Sequence, residues 1–176
     1  FMHDWGGPSG LALAGQRREV ITSLVKTNTW TWTPEKILLR LFSRLLGSKV
    51  GKQFILRWQG FVNYVMPWGV AKDRKQFKEK ILPFYRLSAA RPTYIFPREI
   101  IGSSLFLAKV ESNLSKLINK PSLLLWGKWD PMFRSRARNK FKQLLKPEKV
   151  VSLSAGHYLM EDRPQEISRE VKDFLS

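Results

Sequence analysis

The chain has 176 residues, enough for one domain, with 43% hydrophobic and 12% aromatic content, which is too apolar for a disordered polymer. It has no cysteine and only two histidines, His3 and His157. Disulfides and thiolate chemistry are thereby excluded, no cofactor is called for, and no metal site is expected. Lys and Arg number 31 against 14 Asp and Glu, a formal charge of +17, but the basic residues are spread along the chain, so nucleic acid is not an expected partner.

In chain order, residues 1–4 read as the end of a strand, and GGPSGLALAGQRRE as a turn running into a helix. REVITSLVKTN alternates apolar and polar residues and ends in turn-formers, which predicts a strand over 20–27. ILLRLFSRLLG is an amphipathic helix stopped by Gly47. FVNYVMPWGV is aromatic and broken by Pro67 and Gly69. DRKQFKEKILPFYR predicts one helix, and PREIIGSSLFLAKVESNLSKL another with Pro97 in its first turn. PSLLLWGKWD is a short buried strand of the parallel kind. A basic helix over 134–146 follows, with Arg134, Arg138 and Lys142 at helical spacing on a solvated face. EKVVSLSAG is a strand. RPQEISREVKDFLS is a closing helix with Ile167, Val171, Phe174 and Leu175 on one face.

The order strand–helix–strand, an all-helical insert, then helix–strand–helix–strand–helix predicts an α/β fold with a mostly parallel sheet and a helical cap. The expected division is core over 1–30, cap over 31–96 and core again over 97–176. The longest apolar runs, such as LLLW at 123–126, are far short of the ~20 residues that cross a bilayer. With no secretory signal legible, the cytoplasm is the expected compartment. Phe1 is not an initiator methionine, and sequence is expected ahead of it.

Catalytic groups in open α/β sheets gather at the carboxyl ends of strands. Three polar groups stand at such ends, in the order nucleophile candidate, acid, histidine: Asp4, Asp130 and His157. In MHDWGG, Gly6 and Gly7 would let the backbone pinch after Asp4. An aspartate there is already ionised at neutral pH and can attack an sp3 carbon without a base. A helix-capping aspartate is the structural alternative. In LLLWGKWDP, Asp130 follows a strand and precedes a proline, a seat for a carboxylate that orients a histidine or simply forms a turn. In SAGHYLMEDRPQEI, His157 lies in a loop between strand and helix.

These stretches resemble the haloalkane dehalogenases of the α/β-hydrolase superfamily. HDWGGPSG looks like that family's nucleophile elbow, NTWTW like the beginning of its cap, FVNYVMPWGV and FYRLSAARPTYIFPREI like its cap and cap-exit stretches, and LLLWGKWDP and GHYLMEDRPQEI like its acid and histidine turns. The resemblance implies an incomplete α/β-hydrolase fold with an all-helical cap. It implies Asp4 as nucleophile, His157 as the base that activates water, and Asp130 as its orienting partner. Trp5 would donate its indole N–H to the halide and its backbone N–H to the oxyanion. Asn28 stands where one branch of the family keeps its catalytic acid. Trp30, Trp32, Phe54 and Phe61 are candidates to line the pocket or to pack the cap, as is Trp68. The implied reaction cleaves carbon–halogen bonds of apolar haloalkanes to alcohol and halide through an aspartyl ester, with water as co-substrate and no cofactor.

The resemblance also implies a departure. The family carries strands and a histidine–glycine loop ahead of the elbow, and that loop supplies a second oxyanion donor and a second halide ligand. The expectation is therefore a fragment, inactive by itself, whose partner is the missing N-terminal half or a complementary fragment. An epoxide hydrolase is the nearest alternative, with Tyr64, Tyr85 and Tyr94 available to protonate the epoxide oxygen. A serine esterase is disfavoured, because no Gly-x-Ser-x-Gly occurs. A non-catalytic basic remnant that binds an acidic partner is the alternative from a different class.

Overall fold

The computed structural model describes residues 1–33, 37–88 and 90–176, and for residues 38, 87–88 and 90–92 the backbone alone. Residues 34–36 of the expected cap and Ala89 of the cap-exit stretch lie outside the described residues. The chain divides into two compact units. The first comprises residues 1–31, 70–72 and 109–176, and the second 32–69 and 73–108. The return to the first unit comes at 109, within a helix, where the sequence pattern placed it at 97.

The first unit is built on four parallel strands in the order β1 (Met2–Asp4), β2 (Leu24–Thr29), β3 (Ser122–Gly127) and β4 (Lys149–Leu153). Helix α1 (Gly6–Gln16) connects β1 to β2, and α8 (Ser135–Leu145) connects β3 to β4. The short α9 (Leu159–Asp162) and the closing α10 (Pro164–Leu175) follow β4. Parallel strands that need crossovers bury both faces. On one face Val25, Leu123, Leu125 and Leu153 pack with Leu159 and Ile167 of α9 and α10, and with Val171 and Phe174. Leu175, expected on that stripe, is 60% exposed. Trp126 of β3 packs against Phe141 of α8, with ring centroids 6.3 Å apart.

The strand expected at 20–27 is displaced. Residues Arg18–Val20 form a 3-10 turn and the strand begins at Leu24, where its N–H bonds to the Pro121 carbonyl at 2.9 Å as pairing with β3 starts. Every residue of β2 is buried, because the strand lies between β1 and β3. Its alternation of apolar and polar residues therefore did not mark a wet face. Helix α1 lies close on β1 and β2. A Cβ on Gly7 would sit 1.8 Å from Thr29 Oγ1, and one on Gly10 2.6 Å from Met2 Sδ.

In the second unit, α2 (Ile37–Leu46) and α3 (Lys49–Trp58) precede a π-helical turn at Phe61–Val65 and a 3-10 turn at Met66–Gly69. The expected helix over DRKQFKEKILPFYR is broken into α4 (Arg74–Gln76), a π turn (Phe77–Ile81) and α5 (Leu82–Ser88). Helix α6 (Ala90–Gly102) then runs into α7 (Ser104–Asn113). Pro97 lies inside α6 rather than in its first turn. It removes one N–H from the helix ladder, and its own carbonyl accepts the Ser43 hydroxyl of α2. Helix α3 had no sequence expectation. Ser48 caps it by accepting the Gly51 N–H at 3.1 Å, and Gln59 ends it in left-handed backbone at φ 49°. Leu46, Ile55, Val62, Phe77, Leu82 and Leu107 are buried in this unit. No described helix is long and apolar enough to cross a membrane.

Candidate active site

Three of the sequence candidates meet at the carboxyl edge of the sheet in the first unit. Asp4 ends β1 with φ 45°, left-handed backbone that a non-glycine residue adopts only when its surroundings impose it. The strained residue at the turn is thus the aspartate itself. Gly6 is not needed to relieve it, since a Cβ there would meet nothing within 4 Å. Gly7 is required, but for helix–strand contact. The capping alternative for Asp4 is not realised. Trp5 occupies the N-cap of α1 in helical backbone, and no side chain caps the helix.

Asp130 follows β3 and is buried. Its two oxygens do two jobs. Oδ1 accepts the backbone N–H groups of Met132 and Phe133 at 2.6 and 3.0 Å, which forms the turn. Oδ2 lies 2.9 Å from His157 Nδ1. The turn reading and the orienting reading of the sequence therefore both hold, one on each oxygen. His157 is buried after β4. Because Nδ1 faces the carboxylate, Nε2 is the nitrogen left to exchange a proton with solvent or substrate.

Burial would raise the Asp130 carboxyl, but the hydrogen bond and charge of His157 and the Phe133 and Met132 N–H groups outweigh it and hold the group below its ordinary range. Burial likewise opposes charge on His157. The bond to Asp130 and the negative charges of Asp130 and Asp4 outweigh that and raise the imidazole above its usual value. Asp4 is raised chiefly by burial, against the pull of His157 and the Trp5 backbone N–H. The sheet edge so holds two carboxyl groups driven in opposite directions with an imidazole between them electrostatically.

Aromatic rings surround this group. Trp5 meets Trp30 edge-on at 4.7 Å, Trp30 stacks on Phe133 at 5.1 Å, and Phe133 lies 5.6 Å from the His157 ring. Trp30 is therefore part of the site's wall. Trp32, Phe54 and Phe61 belong to the second unit. There Phe54 packs against Trp58 and Tyr64, at 6.5 and 6.2 Å, Phe61 is half-buried in the π turn, and Trp68 is 73% exposed.

His3 was passed over as a site residue in the sequence. Its ring lies 4.6 Å from that of His157, Nδ1 is 3.1 Å from Thr27 Oγ1, and Nε2 is buried with no hydrogen-bond partner. Burial, and then the charge of His157, lower it to about 4. Its place one residue before Asp4, at the same carboxyl end of β1, was the signal that could have found it. Asp162 was also missed. Its carboxylate accepts the N–H groups of Gly156, Ala71 and Lys72 at 2.7, 3.1 and 2.9 Å.

A parallel sheet whose carboxyl edge carries a strained aspartate after β1, a buried acid after β3 and a histidine after β4 defines the α/β-hydrolase class of fold. Within that class the chain is similar to haloalkane dehalogenases. It is 30% identical over 176 residues to haloalkane dehalogenase 2 of Mycobacterium tuberculosis, which covers 96% of this chain and 60% of that protein. It is 24% identical over 194 residues to epoxide hydrolase 3 of Xenopus tropicalis, 98% of this chain and 51% of that one. Among solved structures, the ancestral haloalkane dehalogenase AncHLD2 superposes with a TM-score of 0.78 at 26% identity, over 96% of this chain and 64% of that one. The chain spans about 60% of the length of the first of these relatives. No family model matches it.

Proposed function

We propose that the chain supplies nucleophile, base and acid to a hydrolase of the haloalkane dehalogenase type. The observation that carries this reading is the 2.9 Å His157–Asp130 bond at the same sheet edge as the strained Asp4, together with the similarity to dehalogenases along nearly the whole chain. The Asp4 carboxylate attacks the halogen-bearing carbon in line. The carbon–halogen bond breaks, its electron pair leaves with the halide, and an alkyl ester of Asp4 forms. The Trp5 indole N–H hydrogen-bonds the departing halide. His157 Nε2 then takes a proton from water, and the hydroxide attacks the ester carbonyl carbon. The alcohol leaves as Asp4 is regenerated. Asp130 fixes the imidazole tautomer and stabilises the imidazolium. The apolar rings of Trp5, Trp30 and Phe133 suit an apolar haloalkane and strengthen the few hydrogen bonds offered to the halide.

The intermediate separates this reading from its rivals. In the chain completed by the N-terminal half that the resemblance implies, His157→Gln leaves the first step intact and blocks the second, so incubation with 1-bromobutane is expected to add one butyl group at Asp4, seen by peptide mass spectrometry. Asp4→Ala should lose both that adduct and all halide release. A hydroxyalkyl adduct from an epoxide, with none from bromobutane, would instead favour the epoxide hydrolase, for which Tyr64, Tyr85 and Tyr94 are the candidate acids. Halide release that persists in Asp4→Ala would end the nucleophile assignment.

A further inference from the structure

Asn28 is the last residue but one of the buried strand β2 and is itself fully buried. Between β1 and β2 the register steps at this point: His3 pairs with Thr27, but Asp4 pairs with Thr29. Asn28 is the residue left over, with φ 25°. A bulge of this kind re-aims the side chain of the extra residue. Here the amide is aimed along the carboxyl edge of the sheet. Its Nδ2 donates to the Gly156 carbonyl at 2.9 Å, and its Oδ1 accepts the Gly127 N–H at 2.8 Å. Gly127 opens the turn that carries Asp130, and Gly156 is the residue before His157. One side chain therefore ties together the acid turn and the histidine turn.

The chemistry of the position fits an amide and little else. Gly127 offers a donor and Gly156 an acceptor, so the partner must accept with one atom and donate with its neighbour. A carboxylate cannot donate, and an apolar side chain would strand two buried backbone groups. Space is short as well. A Cβ on Gly127 would sit 2.2 Å from the Gly156 carbonyl oxygen and 2.9 Å from Asn28 Nδ2. The Gly156 peptide is held at its other end by Asp162, which accepts its N–H at 2.7 Å.

We infer that Asn28 is a positioning residue: its amide sets the separation of the Gly127 and Gly156 turns, and through them the contact between Asp130 and His157. The catalytic meaning of that contact rests on the hydrolase reading, but the contact is measurable in the resting chain, so the two can fail separately.

Proton NMR of the full chain reads the clamp directly. Unsubstituted, the Asn28 side-chain amide protons should persist in deuterated water on the timescale of the Gly127 N–H, and the His157 Nδ1 proton should resonate at low field. In Asn28→Ala the low-field proton should vanish or move upfield. The His157 titration midpoint should fall by about half a unit or more as the Asp130 bond weakens, while Asp4 and His3 of β1, Asp130 and Tyr158, the groups that face the ring, are all retained. Leu145→Ala, which removes a buried side chain of α8, lowers the melting temperature without touching the turns and should leave both signals in place. An unchanged low-field proton and midpoint in Asn28→Ala would overturn the inference. So would Asn28 amide protons that exchange as fast as a free amide's in the unsubstituted chain, a result that decides the matter even where Asn28→Ala does not fold.

Discussion

His3 and His157 lie ring against ring, yet their environments drive them apart: one imidazole is pushed down to about 4 and the other is raised. The difference follows from partners. His157 has a carboxylate on Nδ1, whereas His3 has a hydroxyl on one nitrogen and nothing on the other. A neutral His3 beside His157 lets the latter carry charge without a second cation against it. This has a stability consequence with a definite sign. Because the His3 pKa is depressed on folding, the unfolded chain binds more protons, and stability falls as pH drops from 6.5 towards 4. At about 1.4 kcal/mol per pH unit the loss is at most roughly 3 kcal/mol. His157 runs the other way: its stabilisation is complete below 6.5 and is lost as pH rises through its raised folded value. Urea unfolding of the chain and of His3→Gln from pH 7 to 4 isolates the first effect, and the variant should show the flatter curve. Parallel curves would mean that His3 does not titrate as its burial requires. At this scale the sequence was informative where chemistry is local. Asp4, Asp130 and His157 each stood in a turn with a recognisable neighbourhood. The Asn28 clamp did not, because its partners lie 99 and 128 residues away and an asparagine at a strand end looks like any turn-former.

Elements were legible where their pattern was set by themselves and misread where neighbours set it. The apolar run of β3 and the stripe of α10 are properties of their own residues. The position of β2 is fixed by pairing with β1 and β3, so its alternation gave the right type and the wrong span. That same strand buries Lys26 completely, with Nζ lacking any hydrogen-bond partner. Burial lowers the amine to about 7. An uncompensated buried cation is among the costliest groups a strand can hold. Since its pKa falls on folding, stability declines as pH drops from 10.5 towards 7, by roughly 5 kcal/mol. Lys26→Met keeps the length of the stem and removes the amine. It should raise the urea midpoint at pH 7 and abolish the decline between pH 10 and 7. A variant less stable than the parent at pH 7 would show that the amine has a stabilising partner.

The whole chain carries +17, and folding concentrates that charge. Helix α8 alone presents Arg136, Arg138, Lys140 and Lys142 within Ser135–Leu145. Of these, Lys140 meets Glu111 and Arg138 reaches the Ser152 hydroxyl at 2.7 Å. Arg17–Glu19 at 2.7 Å lies at the surface, where such a pair contributes little, and Lys149–Glu170 at 2.6 Å is half-exposed on its lysine side. Net self-repulsion of this size destabilises the compact state and is screened by salt. At 0.1 M the screening length is about 10 Å, shorter than the distance across a domain. The melting temperature should therefore rise as sodium chloride increases from about 0.01 to 0.3 M and then level off. Lys142→Glu, at an exposed position of α8, should raise it at low salt and reduce the salt dependence. Retention of the chain on heparin belongs to the same physics and should be lost over the same range of salt. The candidate catalytic groups are themselves buried or half-buried at the sheet edge, so screening should leave the His157 titration nearly where it was. A melting temperature that falls with salt, or a Lys142→Glu variant as salt-sensitive as its parent, would show that the positive surface is offset by pairing and not by screening.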